Sequence, residues 1–548
     1  MKSLFCRNQD SKTTIANLKK LNLRVQSNIQ MVQAKILWVD DEIESLQSQK
    51  IFLESKGYSI QTVTNGFDAI DFVKENQVDV VLMDESMPGI SGLETLAKIK
   101  EINRQLPVVL ITKNETENLM NDAIGSQISD YLIKPVNPNQ VLLSLKKILD
   151  NKKLISEKTT TAYQQQFREL FMVLNSKPDF QEWISVYKKL IYWELEMEKS
   201  DSKEMLEVLQ LQKSEANTEF SKFISNHYLS WLQSNSSAKP ILSHTLMQQK
   251  VLPFLEKQVP LFFILIDNLR FDQWKAIEPI FIQNFRIVEE ECFYSILPTT
   301  TQYARNSILS GLLPVDIAAQ FPDEWRNDEE EGGKNLHEET FLRSQLQRLG
   351  KGNLKVSYTK IVNNQAGINL VNNIHNLLHN DLNVVVYNFV DMLSHARTEM
   401  EVLKELASDE ISYRSITQSW FEHSPLHQAL KKIADKNIRI VLATDHGSIK
   451  VKKACKVVGD KQTTTNLRYK HGRNLSYETK EVLAFRNPQE AGLPGPSINS
   501  SYIFAKEDAY LCYPNNYNYF ANYYRNTFQH GGVSLEEMIV PVIKMASK

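Results

Sequence analysis

Leu261-Phe262-Phe263-Ile264-Leu265-Ile266 is an unbroken apolar run that ends on Asp267. It is far too short to cross a bilayer, which needs ~20 residues, and it reads as a strand. From here to residue 548 strand and helix patterns alternate, the pattern of an α/β fold. Further candidate strands are 292–297, 354–358, 383–390 and 438–443. The stretches 327–334, acidic and glycine-containing, and 487–496 read as surface loops.

Upstream, residues 151–250 hold no glycine and only two prolines, Pro178 and Pro240. Tyr163, Phe167, Leu170, Phe171 and Leu174 recur at helical spacing. So do Trp183, Val186, Tyr187, Leu190 and Ile191, and then Phe220, Phe223, Ile224, Tyr228 and Leu229. This is a helical bundle or linker. Further upstream, 35–39, 58–63, 78–83, 107–111 and 130–133 read as strands, with helices such as 66–76 and 92–102 between them. That alternation predicts a parallel sheet covered on both faces. Residues 1–33 read as a flexible tail. Lys2, Arg7, Lys12, Lys19, Lys20 and Arg24 stand there against Asp10, no apolar stretch follows, and Met31 is an alternative start. The expected domains are therefore 34–152, 153–250 and 251–548.

Apolar residues are 42% and charged residues 23% of the 548, with a net charge of −2. That is globular composition. Bulk attraction to nucleic acid is not expected, while a local basic pocket stays open. The four cysteines, Cys6, Cys292, Cys455 and Cys512, are too dispersed for a disulfide scaffold or a thiolate zinc knuckle. A reducing, cytoplasmic setting without a membrane span is the simplest expectation.

Two constellations carry chemistry. In the first, Asp40 and Asp41 end one strand, Asp84 ends the third, Thr112 the fourth, and Lys134-Pro135 follows the fifth. Carboxyl ends of an open parallel sheet meet at one crevice. Acids gathered there need a cation, and an oxygen-rich site suits Mg²⁺. Val39-Asp40-Asp41-Glu42, Asp84-Glu85-Ser86-Met87-Pro88-Gly89, Thr112 and Tyr131 before Lys134-Pro135 resemble a two-component receiver domain over about 34–150. The resemblance implies a flavodoxin-like fold and phosphorylation of Asp84 by a cognate sensor histidine kinase. It also implies relay of the phosphorylated state by Thr112 and Tyr131, homodimerisation, and a cis Lys134–Pro135 bond.

In the second, Asp267 ends its strand, and 292–297 leads to Pro298-Thr299-Thr300-Thr301. The strand ending at Val390 delivers Asp391 and His395, that ending at Ala443 delivers Thr444-Asp445-His446-Gly447, and His530-Gly531-Gly532 lies near the end. Three imidazoles and three carboxylates suit two borderline metal ions, with zinc the first candidate. The arrangement resembles the alkaline phosphatase superfamily. The resemblance implies an α/β/α domain in which one zinc takes Asp391, His395 and His530. The other would take Asp267, Asp445, His446 and a nucleophilic threonine. In the diesterase branch that threonine opens a helix ten residues before a glycine, which selects Thr301, with Thr300 in reserve.

Asp267-Asn268-Leu269-Arg270-Phe271-Asp272 and His530-Gly531-Gly532-Val533-Ser534-Leu535-Glu536-Glu537-Met538 resemble the PglZ branch. The whole order resembles the PorX-type response regulators. That implies a zinc phosphodiesterase on short linear or cyclic oligonucleotides, a role in type IX secretion and gliding, and a sigma factor or secretion component as partner. Two other readings stay open: a phosphorylation-dependent scaffold or transcriptional regulator with a non-catalytic metal domain, and a phosphomonoesterase or mutase.

Arg468, Lys470, His471, Arg473 and Asn474 form a basic cluster in an expected loop. It either holds substrate phosphates or is a solvated surface. Tyr510, Tyr513, Tyr517, Tyr519, Phe520, Tyr523 and Tyr524 either stack on bases or pack. Arg270 and Asp272 either support the metal ligands or cap a helix.

Overall fold

The computed structural model describes residues 34–113, 128–199, 203–233, 239–328, 330–388, 390, 409–460, 463–495 and 499–548. The expected tail of residues 1–33 lies outside them. The chain divides into two units, Met1–Thr159 and Thr160–Lys548.

In the first unit, strands Ala34–Val39, Tyr58–Val63, Val80–Asp84, Val108–Thr112 and Asp130–Ile133 form one sheet. The first strand lies between the second and third, and the fourth and fifth follow the third. Every pairing is parallel, and this order is the flavodoxin-like one. Side chains alternate across a strand. Accordingly Ile36, Trp38, Leu82 and Val109 face one core, while Leu37, Val39, Met83 and Leu110 face the other. Helix Gly92–Ile102 starts on a capping box, Ser91 with Glu94, which satisfies otherwise orphaned amides.

In the second unit, Phe180–Lys199 and Lys203–Gln233 are long helices. Trp183, Val186, Tyr187, Leu190 and Ile191 are all buried, as their spacing predicts. Phe171 departs from expectation and is 47% exposed. It follows buried Leu170 by one residue, so it turns about 100° away around the helix.

The large sheet runs in the order Phe285–Tyr294, Ile539–Ser547, Arg439–Ala443, Leu261–Ile266, Leu382–Tyr387, Val356–Ile361. Five strands are mutually parallel. Ile539–Ser547 runs against both neighbours, a strand the sequence pattern did not reveal. Alternation again divides the side chains. Phe262, Ile264, Ile440 and Leu442 meet a core that includes Trp183, Tyr187 and Phe220 of the long helices. Leu261, Phe263, Leu265 and Val441 meet Ile308, Leu309, Leu342 and Leu346 on the other face. Each large apolar side chain so buried contributes about 1.5–3 kcal/mol. Phe220 stacks on Tyr294 with ring centroids 6.2 Å apart, tying the second long helix to the sheet edge.

The sheet polarity positions the chemistry. Five strands bring carboxyl ends to one edge, and the antiparallel strand brings its amino end there. His530, upstream of residue 539, therefore reaches the same edge as Asp267 and Asp445.

Candidate functional site

In the first unit, Lys134 Nζ lies 2.9 Å from Asp40 Oδ2 and 2.8 Å from Asp84 Oδ2. One carboxylate oxygen from each of Asp40, Asp41 and Asp84 falls within a 4.8 Å cluster. Asp84 Oδ1 is buried and accepts no hydrogen bond among the described residues. Burial lifts the Asp84 carboxyl above its ordinary range, with neighbouring Asp40 adding to it and Lys134 opposing. Burial alone would lower Lys134, but its hydrogen bonds to Asp84 and Asp40 raise it. Thr112 is buried at its strand end, Tyr131 is 40% exposed, and the Lys134–Pro135 bond is cis.

In the second unit, Asp267 follows its strand directly and Asn268 turns with φ 62°, a conformation Asn tolerates better than most side chains. Asn268 N and His446 N both donate to Asp445 Oδ1, at 3.2 and 3.0 Å. Leu269 N donates to Thr444 Oγ1. Two adjacent strand ends are thereby locked together, and one oxygen from each of Asp267 and Asp445 and one nitrogen of His446 lie within 4.8 Å of one another. Gly447 is needed there, since a Cβ would sit 2.0 Å from the Glu536 carbonyl oxygen.

Thr301 opens the helix Thr301–Ser310, and Gly311 closes it at φ 67°. Thr301 Oγ1 lies 3.2 Å from Asp267 Oδ1 and 3.1 Å from His446 Nε2. Thr299 is engaged elsewhere: its hydroxyl donates to Gly532 O and accepts from Gly531 N. The Thr300 hydroxyl is buried and without a hydrogen bond among the described residues. Geometry thus sets Thr301 among the acids and separates it from its neighbours.

The donor set fits a metal. His446 Nδ1 lies 3.1 Å from Gly447 O and His530 Nδ1 3.3 Å from Thr299 O. Protons on those two nitrogens leave both Nε2 atoms as lone-pair donors, the usual arrangement of a ligating histidine. The rings stack with centroids 4.3 Å apart. Asp445 Oδ2 is buried and accepts no hydrogen bond among the described residues. Asp391 and His395 lie outside the described residues. The strand leading towards them ends at Tyr387, in register with Ile266.

A cleft of ≈ 780 Å³ opens over Thr300 and Thr301, with Lys334, Asn335, Tyr523, Tyr524 and His530 among its walls. The basic cluster requires a correction. Tyr469–Arg473 is a strand paired with Ser500–Ala505, and neither Arg468, Lys470 nor Arg473 lines the cleft. Arg468 is fully buried and forks onto both oxygens of Glu537, at 3.1 and 2.6 Å. Lys470 is 1% exposed. Its ammonium donates to Thr464 O and lies 4.4 Å above the Tyr513 ring, and burial lowers it to about 7. Arg473 is exposed.

Arg270 and Asp272 form a buried pair at 2.9 and 2.7 Å. Arg414 joins Asp272 to Glu194, which ties a long helix to the elements behind the site, and Arg270 also stands at the N-cap of the helix Phe271–Phe281, its backbone N donating to Gln273 Oε1 at 3.0 Å. The aromatic segment divides. Tyr510 is buried, Tyr519 is 63% and Phe520 37% exposed. Helix Tyr517–Tyr524 stacks Tyr519 on Tyr523 and Phe520 on Tyr524. Four residues escaped the sequence reading: Arg305, Glu338, Asn335 and Lys360. Arg305 donates to Asp267 Oδ2 at 2.6 Å and to Glu338 Oε1 at 2.5 Å.

Three family models match along the chain. Residues 36–146 match the response regulator receiver domain, 153–232 the PorX response regulator linker domain, and 246–545, more than half the chain, the BREX system PglZ alkaline phosphatase-like domain. Among curated proteins the chain is similar to the transcriptional regulatory protein ZraR of Klebsiella oxytoca, 33% identical over 25% of this chain and 30% of that protein. It is also similar to SrrA of Staphylococcus aureus, 30% identical over 21% of this chain and 47% of that protein. The chain thus spans under half the length of these relatives. A receiver domain protein from Clostridium thermocellum is 32% identical, with 22% of this chain and 98% of that chain covered and a TM-score of 0.21. No helix among the described residues is long and apolar enough to cross a membrane.

Proposed function

The chain belongs to the PglZ alkaline phosphatase-like family, in the receiver, linker and PglZ order of PorX-type response regulators. On that premise we propose that it is a response regulator phosphorylated on Asp84 whose C-terminal domain is a two-zinc phosphodiesterase. Its substrates are short linear or cyclic oligonucleotides, and its setting is the cytoplasmic control of type IX secretion and gliding. The observation that carries this reading is Thr301 Oγ1 between Asp267 Oδ1 and His446 Nε2, at the head of a helix whose first amides suit a phosphate.

Asp267, Asp445, His446 and Thr301 would hold one ion, and His530 with Asp391 and His395 the other. Bound zinc supplies Lewis-acid stabilisation and lowers the pKa of a coordinated hydroxyl. Thr301 Oγ1 would lose its proton and form the bond to phosphorus as the P–O bond to the ester oxygen on the far side breaks, that oxygen leaving as an alcohol with a proton taken up. Water then attacks phosphorus, the Thr301 Oγ1–P bond breaks, and a phosphomonoester is released with the threonine hydroxyl restored. Glycine at 447 and the Asp445 clamp keep the donors in place throughout. The cleft, larger than a phosphate needs, favours a diester with a second substituent, and the stacked rings at its rim suit planar bases.

In the receiver, Asp84 takes the phosphoryl group as the P–N bond of a kinase phosphohistidine breaks. Asp40, Asp41 and Asp84 would hold Mg²⁺, and Lys134 the phosphoryl oxygens. The phosphorylated chain then dimerises.

The test is hydrolysis of bis-p-nitrophenyl phosphate, p-nitrophenyl phosphate and short oligonucleotides by the purified full chain, with and without a zinc chelator. Chelator-sensitive cleavage of the diesters is expected. Cleavage of the monoester alone would replace the reading with a phosphomonoesterase, and no cleavage of any substrate would favour a scaffold.

A further inference from the structure

We propose that Arg305 is a positioning residue: it fixes Asp267 and Asp445 as metal ligands and registers the Thr301 helix against them. This rests on the zinc phosphoesterase reading above. Arg305 lies four residues beyond Thr301 on the same helix, so both face the same side. It is 1% exposed, a costly place for a charge unless its partners are good.

The partners divide one carboxylate in two. Arg305 Nη1 takes Asp267 Oδ2 at 2.6 Å. Asp267 Oδ1 is left to face Thr301 Oγ1 at 3.2 Å and His446 Nε2 at 3.7 Å. The same Nη1 lies 3.7 Å from Asp445 Oδ2 and 3.3 Å from Asn388 Oδ1. Nη1 therefore hydrogen-bonds two strand ends and lies near a third while Nε holds Glu338 on the other side, a two-nitrogen grip that a lysine's single ammonium could not make in a fixed geometry.

Behind it, Arg305 Nε is held at 2.5 Å by Glu338 Oε1. Glu338 Oε2 accepts from Lys360 Nζ and from the Tyr358 hydroxyl, both at 2.6 Å. Lys360 Nζ also donates to Asn335 O at 2.6 Å, and Asn335 Nδ2 donates to Thr301 O at 3.1 Å. The chain of contacts thus leaves Thr301 along its helix and returns to Thr301 through Glu338, Lys360 and Asn335. Charge balance fits a positioning role too. Asp267, Asp445 and Glu338 carry three negative charges against two positive ones on Arg305 and Lys360, so Arg305 orients the acids without cancelling the attraction for a cation. Loosening such a partner ordinarily costs 10–100-fold in metal affinity.

The experiment titrates zinc into the full chain against a chromophoric chelator, for wild type, Arg305→Lys, Glu338→Gln and the double variant, with folding checked by circular dichroism. Each single variant is expected to bind zinc about 10–100-fold more weakly, with kcat lowered and KM unchanged. The double variant is expected to be no weaker than the worse single one, because both act through one chain of contacts. Wild-type zinc affinity and kcat in a folded single variant overturn the proposal, and so do fully additive losses. If neither single variant folds, Tyr358→Phe, which removes one donor to Glu338, carries the test: weakened zinc binding supports the proposal and wild-type affinity overturns it. A wild-type chain that takes up no zinc and cleaves no diester overturns the functional reading instead, and this proposal with it.

Discussion

Thr301 Oγ1 lies 3.1 Å from Nε2 of His446, although the two residues stand 145 positions apart in the chain. Parallel pairing of Leu261–Ile266 with Arg439–Ala443 sets Asp267 beside Asp445 and His446. A helix start delivers Thr301 to the same place. An ion shared by Asp267, Asp445 and His446 would therefore have the threonine hydroxyl beside it.

Zinc content is the first consequence. His446→Ala removes the only nitrogen in the Asp267, Asp445 and His446 cluster. Elemental analysis of the purified variant is expected to show about half the wild-type zinc, since one of two sites loses a protein ligand. Unchanged zinc would remove His446 from the ligand set.

Gly447→Ala is expected to damage the same site without touching a ligand. The new Cβ would meet the Glu536 carbonyl at 2.0 Å, and backbone cannot step aside as a side chain can. The overpacking is expected to cost about 1–3 kcal/mol, read as a lower melting temperature, together with weaker zinc binding. A variant as stable and as metallated as wild type would show that the close approach of residue 447 to the Glu536 carbonyl is not needed.

Lys470 gives a pH signature. Burial lowers its folded-state value to about 7, against an ordinary 10.5. Between those values the unfolded chain binds more protons than the folded one, so stability rises with pH through that window. Below pH 7 the full penalty of a buried ammonium is present, reduced by Thr464 O and the Tyr513 ring. Lys470→Met is therefore expected to raise stability by about 1–3 kcal/mol at pH 6 and by little at pH 10. Denaturant melts at the two pH values check this, and an equal effect at both would contradict it.

The receiver is expected to respond to beryllofluoride with Mg²⁺ by dimerising, measured by light scattering on the full chain. The acid trio Asp40, Asp41 and Asp84, two of whose members pair with Lys134 Nζ, motivates this. Asp84→Ala is expected to abolish the response. If that variant dimerised as wild type does, the acceptor would lie elsewhere.

Much of this was legible from the sequence because the chemistry sits where strands stop. Asp40, Asp84, Asp267 and Asp445 each end a strand that reads plainly as an apolar run. His530 was recognisable only as a motif. Its route to the site depends on the antiparallel strand Ile539–Ser547, which a pattern of alternating strands and helices does not predict. Arg305 was missed because a charged residue in a helix ordinarily faces solvent. Its burial follows from sharing a face with Thr301, and only the positions of Asp267 and Glu338 make that tolerable. Arg468 and Lys470 were misread for the opposite reason. Clustered basic residues suggest an exposed loop, but Glu537 compensates Arg468 in the buried bend before the strand Tyr469–Arg473, and the Tyr513 ring faces Lys470 within that strand. Asp391 and His395 lie outside the described residues.

Thr301 is proposed above as the nucleophile of a metal-assisted phosphodiesterase. Its most direct test is diester hydrolysis by Thr301→Ala in a chain shown to be folded and to retain its zinc, since the other ligands still hold each ion. Thr301→Ala is expected to lose at least about 10³-fold in kcat, with Thr300→Ala far less affected because the Thr300 hydroxyl makes no hydrogen bond to Asp267 or His446. Near-wild-type hydrolysis by Thr301→Ala at full zinc content would contradict it and transfer the attack to a water molecule.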